Sequence, residues 1–288
     1  MAITTRSAAI TREFSALPGR ESMTSTYMGN FLAIPHGTNE AKESILHSAV
    51  SFVRYASPLD WNGHEVRVVV GIAGVEGNGQ SELVRALVGL VPSTGHMVLD
   101  GDEIASLSTR ERRDAGIGYI SEDRQKDGLV LPFTLWENAA LGHQHRAPFA
   151  KGPWMNVAGT KERTEKIVEE FDVRTPGINV PAFTLSGGNQ QKLVVGREMT
   201  AEPKVLVAAH PTRGVDVGAQ SVIWDILKDA RAAGLGTVLV SADLEELIGL
   251  SDRLLVMLRG EIVAEVDPAT VTPADLGSYM TGARTGAH

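Results

Sequence analysis

Residues 66–73 read Val-Arg-Val-Val-Val-Gly-Ile-Ala, nearly all apolar, as a strand covered on both faces requires. A glycine-rich turn at 74–79 follows and opens a helix reaching about Gly89. From there the apolar positions switch between strand and helix periods. They predict a β-ribbon at 97–104, a short strand at 117–120 and a largely helical stretch over 134–173, broken near 148–153. A helix at 187–199, a buried strand at 204–208, a helix at 220–233, a strand at 237–241 and a helix at 244–250 come next. A hairpin over 254–266 turns at Arg259-Gly260. Such alternation builds a parallel sheet with helices on both faces, an α/β fold.

Ahead of this block the pattern is weaker. Residues 1–19 and 285–288 read as tails, and 20–29 as a short helix ending at a glycine. An apolar run at 31–35 leads into a Pro-His-Gly-Thr turn, and a strand is expected at 50–56, before the turn-rich 57–63. No repeat or low-complexity tract interrupts the chain.

The 288 residues are enough for one large domain or two small ones. With 27 Lys+Arg against 35 Asp+Glu the net charge is −8, which argues against nonspecific nucleic-acid binding. Cysteine is absent, excluding disulfides and thiol nucleophiles. The first residues carry no apolar core of a signal peptide, and no apolar run reaches the length of a bilayer span.

Gly74-Val75-Glu76-Gly77-Asn78-Gly79-Gln80-Ser81 follows a strand and opens a helix, matching G-x4-G-K-[ST] except that Gln80 stands where lysine is required. Its glycines let backbone N–H groups converge on phosphate oxygens, and the helix N-terminus favours an anion there. Ser81 is placed to reach Mg²⁺, weakly in this setting, and Glu82 follows it in the first helical turn. Gln80 supplies no cation, so bound phosphate is held less tightly.

Three further elements follow in order: Leu185-Ser186-Gly187-Gly188-Asn189-Gln190-Gln191-Lys192, Pro211-Thr212-Arg213-Gly214-Val215-Asp216, and Ser241-Ala242-Asp243. Order and spacing resemble the ATP-binding cassette (ABC) transporter ATPases from residue 74 to about 283. The form most resembled is the C-terminal half of the double-cassette ATPases of bacterial sugar and nucleoside importers. Ser121-Glu122-Asp123-Arg124 and Ala208-Ala209-His210-Pro211 add to that resemblance, the second toward the nucleoside branch. It implies a P-loop NTPase three-layer fold with a helical subdomain at about 124–184, ATP and Mg²⁺ as ligands, and a cytoplasmic place on the inner face of the membrane. The partners it implies are a second nucleotide-binding domain, transmembrane permease subunits and, indirectly, a periplasmic or lipoprotein solute-binding protein.

The same resemblance exposes departures. Ala209 and His210 stand where the family has the metal-serving Asp and the water-polarising Glu; Ala242 replaces the switch histidine, and Glu122 the loop glutamine. With Gln80, these changes remove the charges on which phosphoryl transfer depends. His210 is read as a histidine without catalytic duty rather than a substitute base, and Glu122 as a solvated loop acid. Ser186, Gly187, Gly188 and Gln190 of the signature, and Asp216 of the following loop, are intact. The implied role is that of a noncatalytic half completing a partner's ATP site.

Residues 20–73 do not resemble the front of such a cassette. Arg20 through Asn30 and Ala33-Ile34-Pro35-His36-Gly37-Thr38-Asn39-Glu40 resemble the mannitol-type EIIA domain of the sugar phosphotransferase system, where the corresponding histidine accepts a phosphoryl group. The resemblance continues to Gly74, so a short α/β EIIA-like segment shares the strand before the phosphate loop. His36 is thereby a candidate phospho-acceptor in a truncated setting. Tyr55 and Phe52 are read as core rather than as an adenine platform, and His47 and His64 as surface histidines.

Overall fold

The computed structural model describes residues 69–284 and, before them, the backbone of a minimal hairpin, β1 (Asp60–Trp61) with β2 (His64–Glu65). The expectations for 1–59 and 285–288, and those resting on the side chains of 60–68, lie outside the described residues. They include the segments at 20–29, 31–35 and 50–56, together with His36, His47, Phe52, Tyr55 and His64.

In chain order, β3 (Val69–Ala73) leads into α1 (Gln80–Leu87), the ribbon β4 (Val98–Leu99) and β5 (Asp102–Glu103), α2 (Thr109–Ala115) and β6 (Ile117–Ile120). A π-helical turn, Arg124–Gly128, precedes α3 (Leu135–Ala140), the small hairpin β7 (Ala150–Lys151) and β8 (Trp154–Met155), and α4 (Val157–Glu170). The chain continues through α5 (Gly187–Met199), β9 (Val205–Ala209), α6 (Val217–Ala232), β10 (Gly236–Val240) and α7 (Leu244–Leu250). The antiparallel pair β11 (Arg253–Leu258) and β12 (Glu261–Val266) and helix α8 (Pro273–Met280) complete it.

Six strands form the main sheet in the order β12-β11-β3-β10-β9-β6, with only β12 antiparallel. Period-two alternation divides the core: Leu206, Ala208 and Leu239 face a cluster holding Leu193 of α5, Ile223 of α6 and Leu247 of α7. Val207, Ala209 and Val238 face Val84 and Leu87 of α1. With both faces covered, the inner strands have no solvent side for polar residues, so their uniform hydrophobicity follows.

Several elements depart from the sequence pattern. Helix α2 was not anticipated, although Ser108 and Glu111 form a complete capping box at its start. The stretch 134–173 is less helical than expected: α3 covers six residues, and 141–156 runs through turns and the β7–β8 hairpin. Gly142, Pro148, Gly152 and Pro153 fall in that interval and interrupt helical hydrogen bonding. Helix α6 starts at Val217 rather than 220, because Asp216 caps it by accepting from Ala219 N at 2.9 Å. Among the described residues no helix is long and apolar enough to cross a membrane.

Candidate nucleotide site

The parallel strands deliver their C-terminal loops to one end of the sheet, where an open α/β sheet places ligands. The loop after β3 is the tightest. Gly79 has φ 106°, and a β-carbon there would come within 3.1 Å of Gly260 Cα. Gly74 has no room either, since its β-carbon would lie 2.0 Å from Gln80 Nε2. Asn78 ties the loop to the β11–β12 turn: Arg259 N donates to its Oδ1 at 3.0 Å and Gly260 N to its carbonyl at 2.8 Å.

Helix α1 has no side-chain cap, and the amides of Gly79, Gln80, Ser81 and Glu82 meet no acceptor among the described residues. Such a row of N–H groups at a helix N-terminus fits a phosphate. Gln80 does not extend toward that space. It is buried at 6% exposure and folds back so that its Nε2 donates to Val75 O at 3.2 Å.

A cavity of about 280 Å³ opens beside this loop, bounded by Gly77, Ser81, Glu122, His210, Arg213 and Asp243. Glu122 is not the solvated acid expected. It is half-buried, accepts from Ser81 Oγ at 2.8 Å, and pairs with Arg213 Nη1 at 2.9 Å. Two oxygens 2.8 Å apart suit adjacent positions around a small octahedral cation with bonds of about 2.1 Å. Ser81 and Glu122 are therefore the residues that would hold Mg²⁺. Ala209, 2% exposed within the core, offers nothing more. Among the described residues no group of three His, Asp or Glu side chains could hold an ion unaided.

His210 sits at the end of β9 in the left-handed region, φ 48°, a conformation that strains most side chains and marks positions held by their surroundings. Its N–H donates to Val240 O at 2.7 Å, and its ring Nδ1 accepts from Ala242 N at 3.3 Å. Burial lowers the imidazole pKa; Glu122 and Glu76 oppose this and Arg213 adds to it. The surroundings thus favour the neutral ring.

Around the second glycine element, Ser186 is exposed and caps α5, its Oγ accepting from Asn189 N at 3.4 Å and from Asn189 Nδ2 at 2.9 Å. Gly187 and Gly188 leave room for neighbours: a β-carbon on Gly187 would meet Arg124 Nη2 at 2.5 Å, and one on Gly188 Ala219 Cβ at 2.8 Å. Arg124 donates to the carbonyls of Arg213 and Gly214 at 2.6 and 3.0 Å, linking this helix start to the loop before Asp216. Gln190 faces inward. It is 3% exposed, with Nε2 donating to Ala182 O at 3.2 Å and Oε1 accepting from Gln125 Nε2 at 3.1 Å.

The structure therefore brings Gly74, Gly77, Gln80, Ser81, Glu122, His210 and Ala242 around one cavity. Ser186, Gly187, Gly188 and Asp216 form a separate grouping at the start of α5 and α6. In the sequence Arg213 and Arg124 stand only as members of the 211–216 and 121–124 stretches, with no role of their own; their partners come from the fold.

Comparison with known proteins agrees with this geometry. A family described as ABC transporter matches residues 64–213, and one described as phosphoenolpyruvate-dependent sugar phosphotransferase system, EIIA 2, matches 3–97. The two matches overlap across β3 and the phosphate loop. The chain is 43% identical over 215 residues to the guanosine import ATP-binding protein NupO of Bacillus subtilis (strain 168). It is 40% identical over 215 residues to the nucleoside import ATP-binding protein NupA of Lactococcus lactis subsp. cremoris (strain MG1363). Each alignment covers 74% of this chain but 42% of the relative, so the chain spans about two fifths of their length. Among solved structures, the dimeric post-hydrolysis state of the ATP-binding cassette MJ0796 bound to ADP and Pi superposes with a TM-score of 0.60 at 23% identity, covering 71% of this chain and 88% of that one. A nucleotide-free ATP-binding cassette from an ABC transporter gives 0.58 at 24% identity, covering 69% and 80%. At these identities the likeness concerns the fold.

Proposed function

The chain belongs to the ABC transporter family, and from that premise we propose that it is an ATP-binding half that retains nucleotide without cleaving it and completes the ATP site of a second cassette. The observation that carries this reading is the contrast between its two surfaces. The helix start at Ser186 is exposed, and the amides of Gly187 and Gly188 meet no acceptor among the described residues, as an anion-binding helix start requires. The cavity beside the phosphate loop has His210 and Ala242 where charge and a base are needed, Ala209 behind it is closed into the core, and Gln80 is turned into its own loop.

The orphan amides of Gly79–Glu82 would bind triphosphate oxygens of ATP, and Ser81 and Glu122 would hold the Mg²⁺ that neutralises part of its charge. Relatives named for guanosine and nucleoside import support a nucleoside or related sugar compound as the solute moved by the full assembly. The assembly would include membrane permease subunits, with this chain bound to their cytoplasmic side.

ATP turnover is measured for this chain alone, for an intact cassette of the same family alone, and for the mixture. The reading predicts no turnover by this chain and stimulated turnover in the mixture, lost when Ser186 is replaced by Arg. Turnover by the isolated chain refutes it.

The match over residues 3–97 supports a second reading, a phosphoryl carrier acting through His36. Incubation with phosphoenolpyruvate, enzyme I and HPr separates the two, because only a carrier gains acid-labile phosphate that His36→Ala abolishes.

A further inference from the structure

The ring of His210 is held at one nitrogen, Nδ1, which accepts the amide of Ala242 at 3.3 Å, while the backbone N–H of the residue donates to Val240 O at 2.7 Å and anchors its main chain to β10. A nitrogen that accepts an N–H must present its lone pair, so in the neutral ring the proton resides on Nε2. Nε2 meets no protein acceptor among the described residues, and the residue lines the cavity together with Gly77, Ser81 and Ala242. A general base needs a free lone pair toward the attacking water. His210 instead offers a hydrogen-bond donor.

The residue at 242 has no side-chain donor, yet its amide orients the imidazole supplied by the neighbouring strand. β9 and β10 are adjacent in the sheet, with Ala209 paired to Val240, so the loop after β10 lies one strand spacing from the imidazole at the end of β9.

We infer that His210, as an Nε2–H donor held by the Ala242 amide, recognises the terminal phosphate of a nucleoside triphosphate and thereby makes this site prefer ATP over ADP. The inference rests on the nucleotide-retaining reading above and adds to it the group that discriminates. A hydrogen bond to a charged phosphate oxygen changes affinity on the order of tenfold or more.

Titration calorimetry in Mg²⁺ with AMP-PNP and with ADP tests it on the whole chain. His210→Ala is expected to weaken AMP-PNP binding about tenfold while ADP stays within twofold, and His210→Gln, which restores a donor amide, to recover most of the loss. Nitrogen-15 spectra of the unaltered protein add a readout independent of any variant. The His210 ring, assigned by its loss in His210→Ala, should show the Nε2–H tautomer and shift with AMP-PNP but not with ADP. Equal losses for both nucleotides, no loss for either, or an Nδ1–H tautomer overturns the inference while leaving nucleotide retention standing. Failure of the unaltered chain to bind either nucleotide overturns both.

Discussion

Ser81 donates its hydroxyl to Glu122 across 2.8 Å, joining the first turn of the phosphate-loop helix to the loop after β6. The same carboxylate is paired with Arg213 at 2.9 Å, so three loops close on one acid. On the proposed reading Glu122 would serve both as an oxygen ligand to Mg²⁺ and as a negative charge facing the bound phosphates. Replacing it with Ala is expected to remove most of the Mg²⁺-dependent gain in ATP affinity and to raise affinity measured in EDTA. Calorimetry with and without Mg²⁺ checks both arms; an unchanged Mg²⁺ effect would show that Glu122 does not serve the ion.

The cation missing from the phosphate loop can be reintroduced. Gln80→Lys exchanges a neutral amide for an ammonium, a difference of about 1–2 kcal/mol, or roughly five- to thirtyfold in ATP affinity. Turnover is expected to remain absent, since Ala209 and His210 still supply neither metal ligand nor base. Binding assays and phosphate release on the same variant check the two halves; phosphate release would assign the block to Gln80 alone.

A second polar cluster lies beneath the fold rather than in the cavity. Glu198, at the end of α5, is fully buried and accepts from Arg113 Nη2 and Arg197 Nε, each at 2.9 Å, and from Tyr119 N at 3.2 Å. Burial alone would raise its pKa, but the two guanidiniums, with the Tyr119 amide, outweigh it and hold the carboxyl below its ordinary value. Its contribution to stability is therefore present above the unfolded-state pKa and lost as pH falls through the folded one. Glu198→Gln leaves two guanidiniums buried without their counter-ion and is expected to cost about 3–5 kcal/mol. Thermal unfolding at pH 7.5 should show a fall in Tm of roughly 10 °C; a shift under 2 °C would contradict the role assigned to this carboxylate.

His143 stands beside that cluster, stacked on Phe149 and facing Arg113 and Arg146. Burial pushes its pKa down to about 3, with Glu198 opposing and the guanidiniums adding. The unfolded chain takes up this proton below about pH 6.5 and the folded one does not. Stability is thus complete above that value and declines toward pH 3 by about 1.4 kcal/mol per pH unit. His143→Phe should cost about 1–3 kcal/mol at pH 7.5 through the lost acceptor, yet flatten the decline between pH 6 and 4. Urea unfolding at several pH values measures the slope, and parallel slopes in the two proteins would refute the assignment.

The strands were legible because burial on both faces leaves an unmistakable apolar run, as in β3, β9 and β10. The phosphate loop was legible because its glycines have steric reasons that no other residue satisfies. Short helices were harder. α2 carries its signal only in Ser108 and Glu111, and its body, Thr-Arg-Glu-Arg-Arg-Asp-Ala, has little apolar periodicity. The inward turn of Gln190, the folding back of Gln80 and the capture of Glu122 by Ser81 depend on neighbours 5 to 65 residues away. Residue type says that such side chains can hydrogen-bond; only the fold says with what.

The strand that both family resemblances share is also the one with a neighbour on either side, β11 and β10, through the middle of the sheet. A join made there is no hinge that a protease could nick to release two working pieces. Excising Val69–Ala73 with the front of the chain would leave β10 and β11 without the ladder between them. Grafting a different front onto this cassette has to carry those five residues along as part of the recipient.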